Sequence, residues 1–313
     1  MKDIPLPAVH RFTAEFMTTP FEIFFSGIEK QYAGEAAEAV FEEIGRLEKL
    51  LNRHDPTSEI SRINRLGPGE ELRIGWEVYS CLDLSFRLGT ATNGAFDINT
   101  SSLLKYKRRL FPRAGKNRRR FMPPPLELIR RTDGFSVLRP DRGAPPPDLD
   151  LGGIGKGFAL DSLRAILEDW EITDVLIHGG TSTALAFGSA EREENGWPVG
   201  VGGGHHCPGI PNRILLCDRA LSGSGLEVKG AHITDPRTGK RAGAHTAAWV
   251  SHPSAAESDA LSTAFMVMDD REIKELCENR TEIWALTIGH DGICRNYNPG
   301  SFNKKNTSLE DTI

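Results

Sequence analysis

Apolar residues recur at helical spacing in several long segments of the chain. Between Glu35 and Asn52 they form one stripe, with acidic and basic residues between them. This pattern predicts an amphipathic helix whose stripe faces a core. The same reading predicts a helix from Trp76 to Thr92, one that ends at Asp169 after a glycine-rich loop, and one that opens at Glu257. Ser58 is expected to cap a further short helix.

Short apolar runs bounded by turn-forming residues predict strands between these helices. A tight Asn93-Gly94 turn follows the second helix, and the run from Ser222 to Gly225 is expected to form another turn. The predicted strands are Phe21 to Phe25, Asp174 to Ile177, Pro198 to Val201, Arg213 to Cys217, Arg219 to Leu221 and Ala247 to Ser251.

The composition is that of a globular protein with one large domain or two closely packed ones. The 313 residues are 39% hydrophobic and 26% charged, which indicates neither a disordered nor a fibrous chain. The formal net charge of −5 argues against a general nucleic-acid binder. The basic run from Lys105 to Arg120 is therefore predicted to be a solvated loop, with contact to RNA or to a phosphate-rich cofactor as the alternative.

The cysteines and the start of the chain bear on its location. An odd set without a C-x-x-C pair favours a reducing compartment, with each thiol acting as an apolar filler or a surface group. The first residues show no signal-peptide pattern, and no apolar run reaches the roughly 20 residues of a spanning helix. We therefore expect a cytoplasmic protein with no membrane segment. The cysteines are Cys81, Cys207, Cys217, Cys277 and Cys294.

The stretch DLDLGGIGKGFALD, from Asp148 to Asp161, is the first candidate for phosphate chemistry. It is predicted to be a short strand end, a turn that holds four glycines, and the start of a helix. Glycines let a phosphate approach backbone N–H groups, the helix N-terminus favours negative charge, and Lys156 adds a positive charge. The spacing fits neither the P-loop nor the dinucleotide fingerprint. An ordinary strand-to-helix turn is the alternative.

Three other segments offer groups for the same chemistry. Asp259 and Thr263 are four residues apart, so on a helix they share one face, where a carboxylate and a hydroxyl can hold a hard ion such as Mg²⁺. The polar side of a core helix is the alternative for this pair. His232 stands just before a rigid Asp-Pro turn, and Asp97 follows a tight turn. Judged alone, each of these two is more simply explained by a structural role.

Five segments, taken in order, form a recognisable set: TSEISRIN (57–64), NGAFDINT (93–100), DLGGIGKGFALD (150–161), HITDPRTG (232–239) and SDALSTAF (258–265). Together they resemble the ApbE family of flavin transferases, also called FAD:protein FMN transferases. The resemblance implies an α/β protein of the α+β type, with mixed sheets flanked by helices in an ApbE-like, T-fold-like arrangement. We expect an N-terminal extension (1–15), a transferase domain (16–297) and a disordered tail (298–313).

The resemblance implies a Mg²⁺-dependent reaction in which FMN passes from FAD to a Thr or Ser hydroxyl of an acceptor flavoprotein and AMP leaves. Asp259, Thr263 and the backbone carbonyl of Gly155 match the family's metal ligands. His232 matches the histidine that deprotonates the attacking hydroxyl, and it is also placed at the cofactor. The other implied cofactor contacts are Asp97, Gly153, Lys156, Asp161, Ser222 and Gly223.

Several positions differ from the family pattern. His54 stands where an aromatic residue often lies against the flavin, and Thr181 follows a Gly-Gly pair where Asp or Asn is usual. Ser101 replaces an expected proline, and Gly155 an expected alanine. These differences fall in the flavin- and acceptor-binding parts. Two alternatives therefore stay open: a Mg²⁺-dependent FAD pyrophosphatase that gives FMN and AMP, and a flavin-binding protein without turnover.

Overall fold

The structure is a computed structural model of the chain. It describes residues 8–99, 126–141, 146–190, 195–202, 207, 210, 212–226 and 233–301. Several features of interest lie outside the described residues, namely His232, Ser101, the basic run from Lys105 to Arg120 and residues 302–313 of the expected tail. Their predictions stay predictions.

The described residues form six α-helices and thirteen strands. The helices are α1 (Lys30–Leu51), α2 (Glu59–Asn64), α3 (Trp76–Ala91), α4 (Gly155–Asp169), α5 (Ala255–Phe265) and α6 (Asp270–Asn279). The strands are β1 (Val9–Phe16), β2 (Thr19–Ser26), β3 (Glu71–Ile74), β4 (Glu127–Arg131), β5 (Gly134–Leu138), β6 (Val175–Gly179), β7 (Thr183–Phe187), β8 (Trp197–Gly200), β9 (Arg213–Leu216), β10 (Arg219–Gly225), β11 (His245–His252), β12 (Trp284–Gly289) and β13 (Cys294–Tyr297).

An eight-stranded sheet forms the centre of the described structure. Its strand order is β1-β2-β6-β7-β10-β11-β12-β13, and two smaller sheets have the orders β3-β5-β4 and β8-β9. Each strand pair in the described ranges is antiparallel. The predicted combination of sheets with flanking helices is therefore confirmed, in the antiparallel form that characterises α+β proteins.

The large sheet is covered on both faces. On one face, Phe21 and Ile23 of β2 pack in a cluster with the apolar stripe of α1, which includes Val40, and with Leu163 of α4. On the other face, the β8–β9 pair packs Trp197 and its neighbours against the sheet. Alternate residues of a strand point to opposite faces, so a single strand can contribute to both clusters. A third cluster joins α3, α5 and the three-stranded sheet.

Most predicted elements are confirmed, and three expectations are wrong. Gly155 and Gly157 begin α4 and do not belong to the preceding turn. The run from Ser222 to Gly225 continues strand β10, because all four residues pair with β11 and Ser222 also pairs with β7. Strand β1 starts at Val9 and pairs with β2 along its whole length, so residues 9–15 belong to the sheet and are not an extension.

The cysteine prediction also needs correction. Cys207 and Cys294 form a disulfide that connects chain beyond β8 to edge strand β13. Cys81, Cys217 and Cys277 are free thiols, as expected. Disulfides are rare in reducing compartments, so the cysteine pattern no longer supports one. None of the helices in the described ranges combines the length and the apolar character needed to cross a membrane.

His245, at the start of β11, is a buried histidine whose surroundings lower its pKa. It is 2% exposed, and its Nε2 lies 3.1 Å from the carbonyl oxygen of Met268. Its Nδ1 has no hydrogen-bond partner among the described residues. Burial lowers the pKa of His245 below its ordinary value, although Asp270 opposes the shift; Arg295 and His290 lower the pKa further.

We expect the protein to lose stability as the pH falls through about 6.5, the pKa of an unfolded histidine. Below that pH the unfolded chain binds a proton that buried His245 does not bind, so the free energy of unfolding decreases until the lower, folded-state pKa is reached. One such site contributes a slope of at most about 1.4 kcal/mol per pH unit. Urea unfolding measured from about pH 7.5 to about pH 5.5 brackets this pKa. The free energy of unfolding should depend less on pH in His245→Gln than in the wild type. Equal slopes of this free energy against pH in the two proteins would contradict the account.

Candidate functional site

Helices α4 and α5 touch backbone to backbone, and this contact organises the candidate site. A Cβ atom placed on Gly157 would lie 2.2 Å from the carbonyl oxygen of Ala255 and 2.7 Å from the amide nitrogen of Ala256. Only glycine fits at such a distance. The packing of the two helices therefore requires Gly157, whether or not a ligand is bound.

Asp259 lies one turn along α5 from this contact, and the first turn of α4 holds its carboxylate. The side chain is 6% exposed, and Oδ2 accepts a hydrogen bond from the amide nitrogen of Gly157 at 3.3 Å. The Nζ of Lys156 lies 3.6 Å from the same oxygen. Both the lysine charge and the positive end of the α4 dipole favour a negative group at this position.

Thr263 lies one further turn along α5 and faces the glycine loop. Its Oγ1 donates a hydrogen bond to the carbonyl oxygen of Asp259 at 3.3 Å. A Cβ atom on Gly153 would lie 3.3 Å from the same Oγ1. The contact between the helices therefore brings together five residues singled out by sequence: Gly153, Gly155, Lys156, Asp259 and Thr263.

The oxygen donors at this contact fit a hard divalent ion. One carboxylate, one hydroxyl and a backbone carbonyl are the ligand types that Mg²⁺ accepts, with substrate phosphates and water completing its shell. Within the described ranges, no three His, Cys, Asp or Glu side chains come together as metal ligands. Structural zinc sites use such clusters. The donor set thus fits Mg²⁺ shared with a phosphate better than zinc.

Two asparagines from separate motifs hold the segment that leads into the glycine loop. Asn64 at the end of α2 donates to the carbonyl oxygen of Leu149 at 3.1 Å and accepts from its amide nitrogen at 2.7 Å. The side chain of Asn99 accepts from the amide nitrogen of Asp148 at 2.7 Å. Asp97 is half-buried and accepts from the amide nitrogen of Asn99 at 2.7 Å, so it shapes the turn that presents this asparagine.

A cavity of about 410 Å³ opens beside the first turn of α4. Its lining combines a few apolar side chains with a larger number of polar and charged groups. Gly155 and Lys156 belong to the lining, so the cavity is continuous with the candidate metal site. The other lining residues are Met17, Thr18, Thr19, Glu48, Leu51, Asn52, Arg53, His54, Asp150, Leu151, Gly152, Thr181 and Ser182.

The lining of the cavity includes a turn that residue types in the sequence do not predict. Met17 and Thr18, between β1 and β2, have φ angles of +49° and +60°. This left-handed conformation costs a non-glycine residue about 1–2 kcal/mol. Glu48 of α1 accepts a hydrogen bond from the amide nitrogen of Met17 at 2.7 Å and so helps to hold the turn. Because the turn contains neither Gly nor Asn, no residue type signals its position or its place in the cavity.

Arg53 was also missed, and it organises the approach to the glycine loop. Its guanidinium pairs with Asp148 and with Asp150, the latter at 3.0 Å. The segment that carries Arg53 follows α1, whereas the two aspartates lie almost 100 positions later in the chain. Only the fold brings these charges together, so the sequence offers no local signal for the pair.

Three of the predicted cofactor contacts have other partners in the structure. Ser222 is fully buried, and its Oγ lies 3.4 Å from Thr183 Oγ1, so its side chain does not reach the cavity. A Cβ atom on Gly223 would lie 2.8 Å from Nε1 of Trp249, so close packing of an indole ring explains this glycine. Asp161 binds the first turn of α5. His232 lies outside the described residues.

Comparisons of this chain with known proteins agree on a single family. A sequence model of the ApbE family matches residues 17–287. The FAD:protein FMN transferase of Chlamydia pneumoniae is 25% identical over 274 residues, which cover 79% of this chain and 80% of that protein. The FAD:protein FMN transferase of Salmonella typhimurium is 22% identical over 300 residues, covering 86% and 81%.

Solved structures show the same fold. The flavin transferase ApbE from Vibrio cholerae matches with a TM-score of 0.74 at 21% identity, covering 95% of this chain and 98% of that one. The apo form of the Pseudomonas stutzeri flavinyl transferase ApbE matches with a TM-score of 0.72 at 21% identity, covering 94% and 97%.

Proposed function

Because the chain belongs to the ApbE family, we propose that it is a Mg²⁺-dependent FAD:protein FMN transferase. It moves FMN from FAD to a Thr or Ser hydroxyl of an acceptor flavoprotein and releases AMP. One observation carries the proposal. The buried Asp259 carboxylate lies 3.6 Å from the Lys156 ammonium, and Lys156 also lines a cavity of about 410 Å³.

FAD has an apolar ring at one end and a charged pyrophosphate near its middle, and the site offers a matching arrangement. We place the flavin ring in the cavity, beside the Met17–Thr18 turn and His54. The pyrophosphate then lies at the first turn of α4, where the helix dipole and Lys156 favour negative charge. Asp259, Thr263 and the Gly155 carbonyl would hold Mg²⁺ at this position. The ion, when bound, neutralises pyrophosphate charge and polarises the phosphorus for attack.

The transfer exchanges one phosphorus–oxygen bond for another. The acceptor hydroxyl forms a bond to the FMN-side phosphorus, while the bond from this phosphorus to the oxygen bridging the two phosphates breaks and AMP leaves. His232 accepts the hydroxyl proton, since the imidazole of histidine is the commonest general base at neutral pH. Lys156 binds the phosphate oxygens and stabilises charge there. This chemistry needs positioning and charge stabilisation rather than a covalent enzyme intermediate.

Product analysis tests the proposal. The protein is incubated with FAD, Mg²⁺ and candidate acceptor flavoproteins, and AMP, free FMN and protein-bound FMN are measured. AMP together with covalent flavin supports the transferase. AMP with free FMN in place of covalent flavin means that water is the acceptor and the protein is a pyrophosphatase. FAD binding without AMP means that the protein has kept the fold but not the reaction.

A further inference from the structure

Asp161 is a half-buried carboxylate. Among the described residues, its hydrogen bonds come from one place, the N-terminal end of α5. Its Oδ2 accepts from the hydroxyl of Ser254 at 2.6 Å and from the amide nitrogen of Ala256 at 3.0 Å. Its Oδ1 accepts from the amide nitrogen of Ala255 at 2.7 Å. Burial raises the pKa of Asp161, and these donors act in the opposite direction. The carboxylate therefore caps a helix other than its own.

The cap is shared with Ser254, the residue before the first turn of α5. The hydroxyl of Ser254 donates to Asp161 and accepts from the amide nitrogen of Glu257 at 3.2 Å. The amide groups at a helix start have no partner inside the helix and need acceptors from elsewhere. Asp161 supplies acceptors for two of them, at Ala255 and Ala256, and orients the hydroxyl that supplies the third. The start of α5 is thus fixed by a residue of α4.

The spacing of residues extends this effect to the candidate metal site. Gly157 and Asp161 are four apart in α4 and share one face, and both contact Ala255. In α5, Ala255, Asp259 and Thr263 follow each other at the same interval of four, so they also share a face. The hydrogen bond from Ala255 to Asp161 fixes the position of α5 along its axis. It therefore also sets where Asp259 and Thr263 lie beside the glycine loop. The contact from Gly157 to Asp259, at 3.3 Å, leaves little tolerance for a shift.

We infer that Asp161 is a positioning residue of the metal site: it fixes α5 against α4 so that Asp259 and Thr263 face Gly155 and Lys156. This inference rests on the proposed function and replaces the earlier expectation that Asp161 binds the cofactor. Partners that orient metal ligands without touching the metal typically affect metal affinity by about 10–100-fold when they are removed. The effect should therefore appear in metal binding and not in the binding of FAD alone.

The test compares the full-length protein with Asp161→Ala and with Asp161→Asn, a variant of nearly equal shape that keeps one acceptor oxygen. Mn²⁺ binding in the presence of FAD is measured by electron paramagnetic resonance. We expect Asp161→Ala to raise the Mn²⁺ Kd by about 10–100-fold, with Asp161→Asn in between. Hydrogen exchange without metal should show faster exchange of the Ala255 and Ala256 amides in both variants. The Kd of FAD without metal should stay unchanged.

A matched control comes from the next helix. Asp269 caps α6 through the amide nitrogen of Glu272 at 2.9 Å, in a capping box, and α6 carries no residue of the proposed site. Asp269→Ala removes a helix cap in the same way and should leave the Mn²⁺ Kd unchanged. An equal rise in the Mn²⁺ Kd for Asp269→Ala would overturn the inference, because the loss of any helix cap would then be enough to weaken metal binding.

The outcomes separate the inference from the proposed function. Wild-type protein that binds FAD but takes up no Mn²⁺ contradicts the proposed function. Wild-type binding of Mn²⁺ with an unchanged Kd in both Asp161 variants overturns the positioning role alone. Weaker FAD binding without metal, at an unchanged Mn²⁺ Kd, would show that Asp161 contacts the cofactor directly, and this also overturns the role.

Discussion

Asp259→Ala is expected to reduce the release of AMP from FAD by at least about 10²–10³-fold, the loss that follows removal of a single charge-stabilising group from an active site. Asp259 supplies the carboxylate among the proposed ligands, and removing it leaves the Lys156 charge without its acidic partner. The loss should appear as a lower rate at saturating FAD, measured by chromatography of AMP. Raising the Mg²⁺ concentration should not restore the rate.

Asp259→Asn is the matched control for folding. It keeps an oxygen for the amide group of Gly157 and removes the charge. This variant should therefore retain the wild-type unfolding temperature while being as inactive as Asp259→Ala. Undiminished AMP release in either variant would refute the assignment of the metal site.

Gly157→Ala is expected to destabilise the protein by about 3 kcal/mol, a strong case of overpacking. The added carbon would lie 2.2 Å from the oxygen and 2.5 Å from the carbon of the Ala255 carbonyl. Both are backbone atoms that cannot rotate away, so α4 and α5 must separate. Thermal unfolding should show a decrease of about 6–12 °C, and Mg²⁺-dependent AMP release should be lost even in the folded fraction.

Gly155→Ala provides the comparison on the same turn of α4. A Cβ atom there would meet only the Cβ of Leu151 at 3.7 Å, an ordinary contact. Its stability should remain within about 1 kcal/mol of wild type, since alanine is also the better helix former. Equal destabilisation by the two substitutions would show that the close contact at Gly157 is not what holds the helices.

Local sequence patterns were sufficient to predict the helices that local interactions determine. The apolar stripe of α1, the Ser58 cap of α2 and the helix after the glycine loop follow from spacing and capping chemistry, and each is present. The pairing of Asp259 with Thr263 on one face of α5 also follows from the helical period. By contrast, Ser222 to Gly225 looks like a turn by residue type, yet pairing with β11 along the whole run makes it part of β10. Tertiary pairing overrides such preferences.

The remaining features depend on residues far apart in the chain. The hydrogen-bond partners of Asp161 come 93 to 95 positions later in the chain. The sequence could therefore suggest a polar role for Asp161 but could not identify these partners. The cavity is built from segments near residues 17, 50, 150 and 181. Two positions that differ from the family pattern, His54 and Thr181, both line it. These two differences thus lie at the proposed flavin end, whereas the proposed side-chain metal ligands Asp259 and Thr263 match the family pattern.

The most direct test of the central claim is to locate the metal itself. Crystals grown with FAD and Mn²⁺, examined by anomalous scattering, should show one strong peak bounded by the Asp259 carboxylate, the Thr263 hydroxyl and the Gly155 carbonyl, with the FAD pyrophosphate completing the shell. FAD bound in the cavity without a metal peak between α4 and α5, or with the peak at other residues, would contradict the account.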